Sequence, residues 1–164
     1  MTVKDHWHQI EAWLEEHRPG TKRALRQGTT EDAIKGFEES LDVTFPAALK
    51  ESWLIHDGVS SGGYIGRWRL LSIKSMGKHL DMMRGKTVTD RNGERCWWNA
   101  CWVPIAEDAE DNMACLDFTG GSSDQTSGEA EMLLYREREG RTEPMGVGFE
   151  KWLSQLTAEV PAEK

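Results

Sequence analysis

Residues 97–118, WWNACWVPIAEDAEDNMACLDF, predict two β-strands that are joined by an acidic turn. Apolar residues dominate Trp97–Ile105 and Met113–Phe118, and short apolar runs bounded by polar residues are typical of buried strands. Glu107–Asn112 lies between them and is rich in aspartate and asparagine, which favour tight turns. Because a short turn joins antiparallel neighbours, this stretch predicts an antiparallel strand pair.

Helical patterns precede this hairpin. Pro19-Gly20 is expected to end a first helix, and a polar connector follows it. Thr29 or Thr30 caps a second helix. A third helix opens at Phe45-Pro46 and stops at His56–Gly58, where glycine is free to adopt positive φ. The apolar face of the first helix, at helical spacing, consists of Val3, Trp7, Ile10 and Leu14.

The rest of the chain mixes strands with short helices. Thr87–Arg95 is polar around Asn92-Gly93, and the pattern leaves it open as a loop or a hairpin tip. The other expected elements are a turn with a strand (Tyr64–Ile73), a helix (Met76–Met83), a loop (Gly120–Gly128), a strand (Met132–Tyr135) and a closing helix (Phe149–Leu156).

The order of these elements indicates the fold class. Helices come first, strands gather in the middle and a helix comes last, without strict βαβ alternation. This order is typical of an α+β domain with an antiparallel sheet. With 164 residues the chain has room for one hydrophobic core, so we expect a single domain over residues 1–160 and a frayed end at 161–164.

The charge balance argues against direct binding to nucleic acid. The chain carries 20 Lys and Arg against 28 Asp and Glu, a net charge of −8, whereas phosphate binding needs clustered cations. Pro104–Glu131 contains no Lys or Arg. Its eight carboxylates belong to Glu107, Asp108, Glu110, Asp111, Asp117, Asp124, Glu129 and Glu131.

Cysteine usage and hydropathy predict a cytoplasmic protein. Cys96, Cys101 and Cys115 form an odd set without a C-x-x-C pair, so we expect no disulfide scaffold. The N-terminal residues have no apolar signal core, and no run reaches the roughly 18 apolar residues of a membrane span. We therefore expect no membrane association.

The candidate catalytic and metal-binding motifs are weak. His56-Asp57 could be a catalytic pair, but no nucleophile motif accompanies it. We favour a structural role for His56, in which the histidine interacts with the last carbonyl groups of the helix. His6 and His8 point to different sides of a helix, and Glu107–Asn112 lacks the spacing and the glycine of an EF-hand. Neither glycine pair of the chain extends to a phosphate-binding motif. We therefore expect no catalytic residue, no cofactor and no metal site.

The candidate binding residues are carboxylates and one tryptophan. Because adjacent strand residues point to opposite faces, Trp97 and Trp98 cannot share one core. An exposed tryptophan beside carboxylates is typical of a binding hot spot, and acidic groups speed the encounter with a basic partner. We therefore assign partner binding to Glu107, Asp108, Glu110, Asp111, Asp124 and Trp98. The pattern leaves open which of Trp97 and Trp98 is exposed.

Several segments together resemble one family. Trp7–Leu14 is similar to its opening W-x-x-I-E-x-W-L helix, and Phe149–Leu153 is similar to its closing F-x-x-W-L helix. His56-Asp57-Gly58 resembles its H-D-G helix end, and Trp102–Ala106 resembles its W-x-P-I-A strand. The ordered set covers nearly the whole chain and resembles the SMI/KNR family of the SUKH superfamily.

That resemblance implies a twisted antiparallel sheet rimmed by helices, and no enzymatic activity. Many bacterial members are immunity proteins, which bind and block a toxin domain that is often a nuclease or deaminase. We therefore expect a non-catalytic protein-binding module, foremost an immunity protein with a basic toxin as its partner. The alternative is a regulatory or scaffold protein of the cell-wall assembly regulator type, with a cellular protein partner. A small-ligand- or metal-binding protein is a third possibility, and the oligomeric state stays open.

Overall fold

The computed structural model describes residues 1–119 and 130–162, in which helices precede, interrupt and follow the strands. The helices are α1 (Val3–His17), α2 (Pro19–Ala24), α3 (Glu31–Leu41), α4 (Ala47–Ile55), α5 (Ile73–Met83), α6 (Phe149–Glu159) and a 3₁₀ turn at Val160–Ala162. The strands are β1 (Arg69–Leu70), β2 (Thr87–Thr89), β3 (Arg95–Trp97), β4 (Trp102–Glu107), β5 (Met113–Asp117), β6 (Glu131–Arg136) and β7 (Arg141–Pro144).

The described strands form one mixed sheet in the order β1-β4-β5-β6-β7-β2-β3. Neighbouring strands are antiparallel except β2 and β7, which run parallel where Thr89 pairs with Arg141. The strands that follow each other through short turns are antiparallel, as hairpin connections require. The predicted α+β class, with a mainly antiparallel sheet between N-terminal and C-terminal helices, is confirmed.

The N-terminal helix forms for the reasons that its sequence indicates. Thr2 caps α1, because its hydroxyl accepts a hydrogen bond from the Asp5 N–H while the Asp5 carboxylate accepts one from the Thr2 N–H. The expected apolar face is buried, and Trp7 Nε1 donates a hydrogen bond of 2.9 Å to Ser52 Oγ on α4. This bond satisfies the indole N–H inside the core and fixes α1 against α4.

Two prolines and a glycine shape the turns between helices. Pro19 does not lead into a connector as expected; it begins α2, where its missing N–H costs nothing. Pro46 lies one residue before α4. Gly58 has φ +74°, and a Cβ there would lie 2.4 Å from the Ser72 nitrogen. Only glycine therefore allows the chain after α4 to approach the start of α5 this closely.

Both faces of the sheet are buried around its centre. Along β5, Ala114 and Leu116 join the larger apolar cluster, which also receives the apolar faces of α1, α4 and α6. Met113 and Cys115 alternate with them and join a smaller cluster on the opposite face. The smaller cluster consists of Met83, Val88, Trp98, Trp102, Met113, Cys115, Leu133 and Tyr135.

The expected strand over Trp97–Ile105 is wrong, because β3 and β4 are separate strands. Asn99 turns the chain between them. Its side-chain Oδ1 accepts a hydrogen bond of 2.8 Å from the Cys101 N–H, and its carbonyl accepts one of 2.9 Å from the Trp102 N–H. β3 consequently lies at one edge of the sheet while β4 lies near the other.

Other expectations are refined in the polar segments. Thr87–Arg95 is a hairpin whose tip holds Asn92-Gly93, and Gly93 has φ +81°. Tyr64–Ile73 contains only the two-residue strand β1, since Ile73 already begins α5. The polar strand β7 carried no apolar signal and was not predicted. Residues 120–129, which include the expected loop, and residues 163–164 lie outside the described part of the chain.

Candidate protein-binding surface

The turn between β4 and β5 is organised by Asp108. One carboxylate oxygen, Oδ1, accepts hydrogen bonds from the backbone N–H groups of Glu110 (2.9 Å) and Asn112 (3.0 Å). The other, Oδ2, accepts from Asn112 Nδ2 (3.0 Å) and from Nε and Nη2 of Arg67 (3.0 and 2.8 Å). Asp108 is only 6% exposed, so it holds the turn together from inside.

The protonation behaviour of Asp108 follows from these contacts. Burial by itself raises the pKa of the carboxyl. The hydrogen bonds from the side chains of Asn112 and Arg67, together with those from the backbone, outweigh burial and hold the pKa of Asp108 below its ordinary value of 3.8. The charged form of Asp108 is therefore the form that the fold stabilises.

Glu107 also pairs with side chains of two neighbouring elements. Its carboxylate forms an ion pair with Arg69 on β1, and His79 Nε2 on α5 lies 2.6 Å from Glu107 Oε2. His79 Nδ1 lies 2.8 Å from the Ser75 carbonyl oxygen, which fixes the ring on its own helix. The Glu107 side chain is 12% exposed, so it fastens α5 and β1 to β4.

The carboxylates assigned to partner binding differ in their exposure to solvent. Glu107 and Asp108 are paired and largely buried, because cations distant in sequence reach them. Glu110 and Asp111 are exposed, and Asp111 has φ +64° at the tip of the turn. Asp124 lies outside the described residues.

The surroundings of the turn are not uniformly negative. An open depression of ≈ 400 Å³ borders it, with Tyr64, Arg67, Glu110 and Arg136 among the residues that line it. Arg67 is half-exposed, and its guanidinium carbon lies 4.7 Å from the centre of the Trp68 ring. Two cations, Arg67 and Arg136, thus line the same depression as the exposed Glu110, and they are ion-paired to Asp108 and Glu143.

The two adjacent tryptophans have opposite environments, as their alternation in β3 predicts. Trp98, which the sequence analysis assigns to partner binding, is only 7% exposed and packs edge-on against Trp102 and Tyr135, at 5.2 and 5.3 Å between ring centres. Trp97 is 69% exposed. The exposed aromatic residue of this hairpin is therefore Trp97.

The His56-Asp57 pair is divided between two structural tasks. His56 Nε2 lies 2.6 Å from Glu11 Oε1, and His56 Nδ1 lies 2.7 Å from the Arg26 carbonyl oxygen. Asp57 Oδ1 accepts a hydrogen bond of 3.0 Å from the Ile73 N–H at the start of α5. His56 therefore fastens α1 to the chain after α2, and Asp57 helps to cap α5.

Within residues 1–119 and 130–162, no group of three His, Cys, Asp or Glu side chains could hold a metal ion. The described helices also include none that is both long and apolar enough to span a bilayer.

The described chain is a small α+β domain whose partly buried ion pair between His79 and Glu107 fastens α5 to the sheet and whose edge strand carries one exposed aromatic ring. Residues 28–155 match the sequence model of the SMI1 / KNR4 family (SUKH-1), and the chain belongs to this family. The resemblance seen in its motifs is thereby confirmed.

Three similar proteins are fungal, and the names of two of them describe regulators. The chain is 40% identical over 52 residues to "Cell wall assembly regulator SMI1" of Saccharomyces cerevisiae, which covers 32% of this chain and 10% of the relative. It is 30% identical over 93 residues to "KNR4/SMI1 homolog" of Kluyveromyces lactis. That match covers 54% of this chain and 17% of the relative. It is 26% identical over 149 residues to "Cell wall biosynthesis/cell cycle regulator smi1" of Schizosaccharomyces pombe. That match covers 75% of this chain and 30% of the relative. The chain thus spans less than a third of the length of each of these relatives.

Proposed function

We propose that this chain is a non-catalytic regulatory module that acts in the cytoplasm by binding another protein. The observation that carries the proposal is membership of the SMI1 / KNR4 family over residues 28–155, with relatives whose names describe them as regulators. Of the functions expected from the sequence, the regulatory or scaffold alternative therefore has the stronger support.

The geometry of the titratable side chains is in keeping with a binding role. His79 is held by Glu107, His56 by Glu11, and Asp108 by several hydrogen-bond donors. Side chains occupied in this way stabilise the fold and are poorly placed to transfer protons to a substrate. The exposed Trp97 is by contrast the kind of residue that dominates the energy of protein interfaces.

The proposal is tested by isolating the partner and rebuilding the complex. The chain, tagged at one end, captures proteins from a lysate of its own cells, and each captured protein is then purified and titrated calorimetrically against the untagged chain. We expect a saturable complex of fixed stoichiometry and unchanged masses of both proteins after incubation. Turnover of the captured protein or of an added metabolite would show an enzyme instead.

An immunity protein for a basic toxin is a second candidate, favoured by the net charge of −8 and by the exposed Glu110 and Asp111. Complementary charge speeds association and makes it sensitive to salt. Reversing both charges, Glu110→Lys with Asp111→Lys, should then slow association with a toxin domain encoded next to this chain. An unchanged rate at low salt would remove the support for this candidate.

A further inference from the structure

β3 presents an unpaired backbone edge. Among the strands of residues 1–119 and 130–162, β3 pairs with β2 alone and lies at the end of the strand order. The Trp98 N–H donates to the Lys86 carbonyl, and the Asp90 N–H donates to the Glu94 carbonyl. Because hydrogen-bonded pairs alternate in an antiparallel ladder, the intervening residues Arg95 and Trp97 direct their N–H and C=O groups away from β2.

The side chains of β3 divide between the core and solvent. Cys96 packs against the smaller apolar cluster, which also contains Val88, its partner on β2. Arg95 and Trp97 lie on the opposite face and are exposed. A strand added beside β3 would therefore lay its side chains next to one large aromatic ring and one guanidinium group.

The charge around this edge is opposite to that of the chain as a whole. Residues 84–98 carry four cations and two carboxylates in a chain of net charge −8. One of the two carboxylates, Asp90, accepts hydrogen bonds from the Asn92 and Glu94 N–H groups of its own turn. The exposed cations are Arg84, Lys86, Arg91 and Arg95. Arg84 lies 3.4 Å from the Asp81 carboxylate and Lys86 lies 3.5 Å from that of Glu137, so the positive charge of the edge comes mainly from Arg91 and Arg95.

We propose that a partner protein adds an extended acidic segment to β3 as an eighth strand of the sheet, with an apolar side chain against Trp97. This inference rests on the proposed function, since it names the surface and chemistry by which the partner is bound. Backbone bonds along the edge supply the attachment, and opposite charge selects the segment. A second copy of this chain is disfavoured as occupant, because pairing β3 with β3 would bring the same four cations together.

The edge is tested with two synthetic peptides. One is the capped heptapeptide Glu-Val-Thr-Glu-Thr-Val-Glu, whose central glutamate and two valines share one face and can meet Arg95 and Trp97 together, and its control has lysine in place of each glutamate. In ¹H–¹⁵N spectra of the chain, we expect the acidic peptide to shift the Arg95 and Trp97 amides and to slow their hydrogen exchange. The lysine peptide should bind at least about tenfold more weakly. Unchanged β3 amides, or equal binding of both peptides, would overturn the proposal.

A pair of variants separates the backbone edge from the Trp97 ring. Trp97→Pro removes the outward N–H without breaking a bond to β2, whereas Trp97→Thr removes the ring and keeps that donor. We expect no acidic-peptide binding by the proline variant and weakened binding by the threonine variant. Undisturbed amide signals from Leu116 and Leu134, at the centre of the sheet, would show that both variants keep the fold. Equal binding by the proline variant would overturn strand addition.

The purified partner then distinguishes this inference from the proposed function. If the partner binds wild type and Trp97→Pro equally well, strand addition is wrong while a protein-binding function stands. If no protein binds either form, the proposed function fails, and the peptide titration still decides the chemistry of the edge. A dimer of the chain that the proline variant abolishes would show a second copy as occupant and would overturn the partner assignment.

Discussion

Replacing Asp108 by alanine removes the group that organises the turn between β4 and β5. The backbone N–H groups of Glu110 and Asn112 lose their acceptor, as does the amide of Asn112. Each buried donor left without a partner costs about 1 kcal/mol or more. Arg67 contributes less, because its side chain is 49% exposed and regains water. We therefore expect Asp108→Ala to lower the free energy of unfolding by about 2–4 kcal/mol.

Urea denaturation followed by tryptophan fluorescence measures this loss directly. Asp111→Asn is the matched control, because Asp111 is exposed and asparagine also tolerates its positive φ. The control should unfold within about 0.5 kcal/mol of wild type. Asp108→Asn keeps an acceptor oxygen but loses the charge, so it should lie between the two. A change below about 0.5 kcal/mol for Asp108→Ala would refute the structural role of this carboxylate.

Three further outcomes follow from the same contacts. Because the pKa of Asp108 is lowered in the fold, its stabilisation is fully present above the unfolded value of 3.8 and is lost as the pH falls through the lower folded value. The stability difference between wild type and Asp108→Ala, measured by urea titration, should thus be constant near pH 7 and shrink below about pH 4; a difference that grows in acid would contradict this. Gly58→Ala should lower the melting temperature in a calorimetric scan, since its Cβ would overlap backbone at positive φ, and an unchanged melting temperature would contradict the close approach. Trp98→Ala should cost about 3–5 kcal/mol of unfolding free energy and Trp97→Ala less than about 0.5 kcal/mol, and equal costs would mean that their environments are misassigned.

Sequence patterns were sufficient where local rules decide the structure. The apolar period of α1 predicts the helix and its buried face, and Thr29-Thr30 predicts the cap of α3, because both depend on residues only a few positions apart. The short apolar run Met113–Phe118 likewise predicts β5. β7 escaped prediction because Arg141–Pro144 is polar and forms a strand only through its neighbours in the sheet.

The candidate surface was harder to predict, because the sequence does not show which cation pairs with which carboxylate in the fold. Glu107 meets His79, which lies 28 positions away, and Asp108 meets Arg67, which lies 41 positions away. No local pattern reveals such pairs. Alternation predicted that Trp97 and Trp98 face opposite sides, but the choice between them depends on the distant Tyr135, which packs against Trp98.

Calorimetric titration of the purified partner into this chain tests non-catalytic binding most directly. We expect saturation at a fixed stoichiometry, with the masses of both proteins unchanged afterwards. Heat that continues in proportion to time, or a covalent change in the partner, would contradict a binding role.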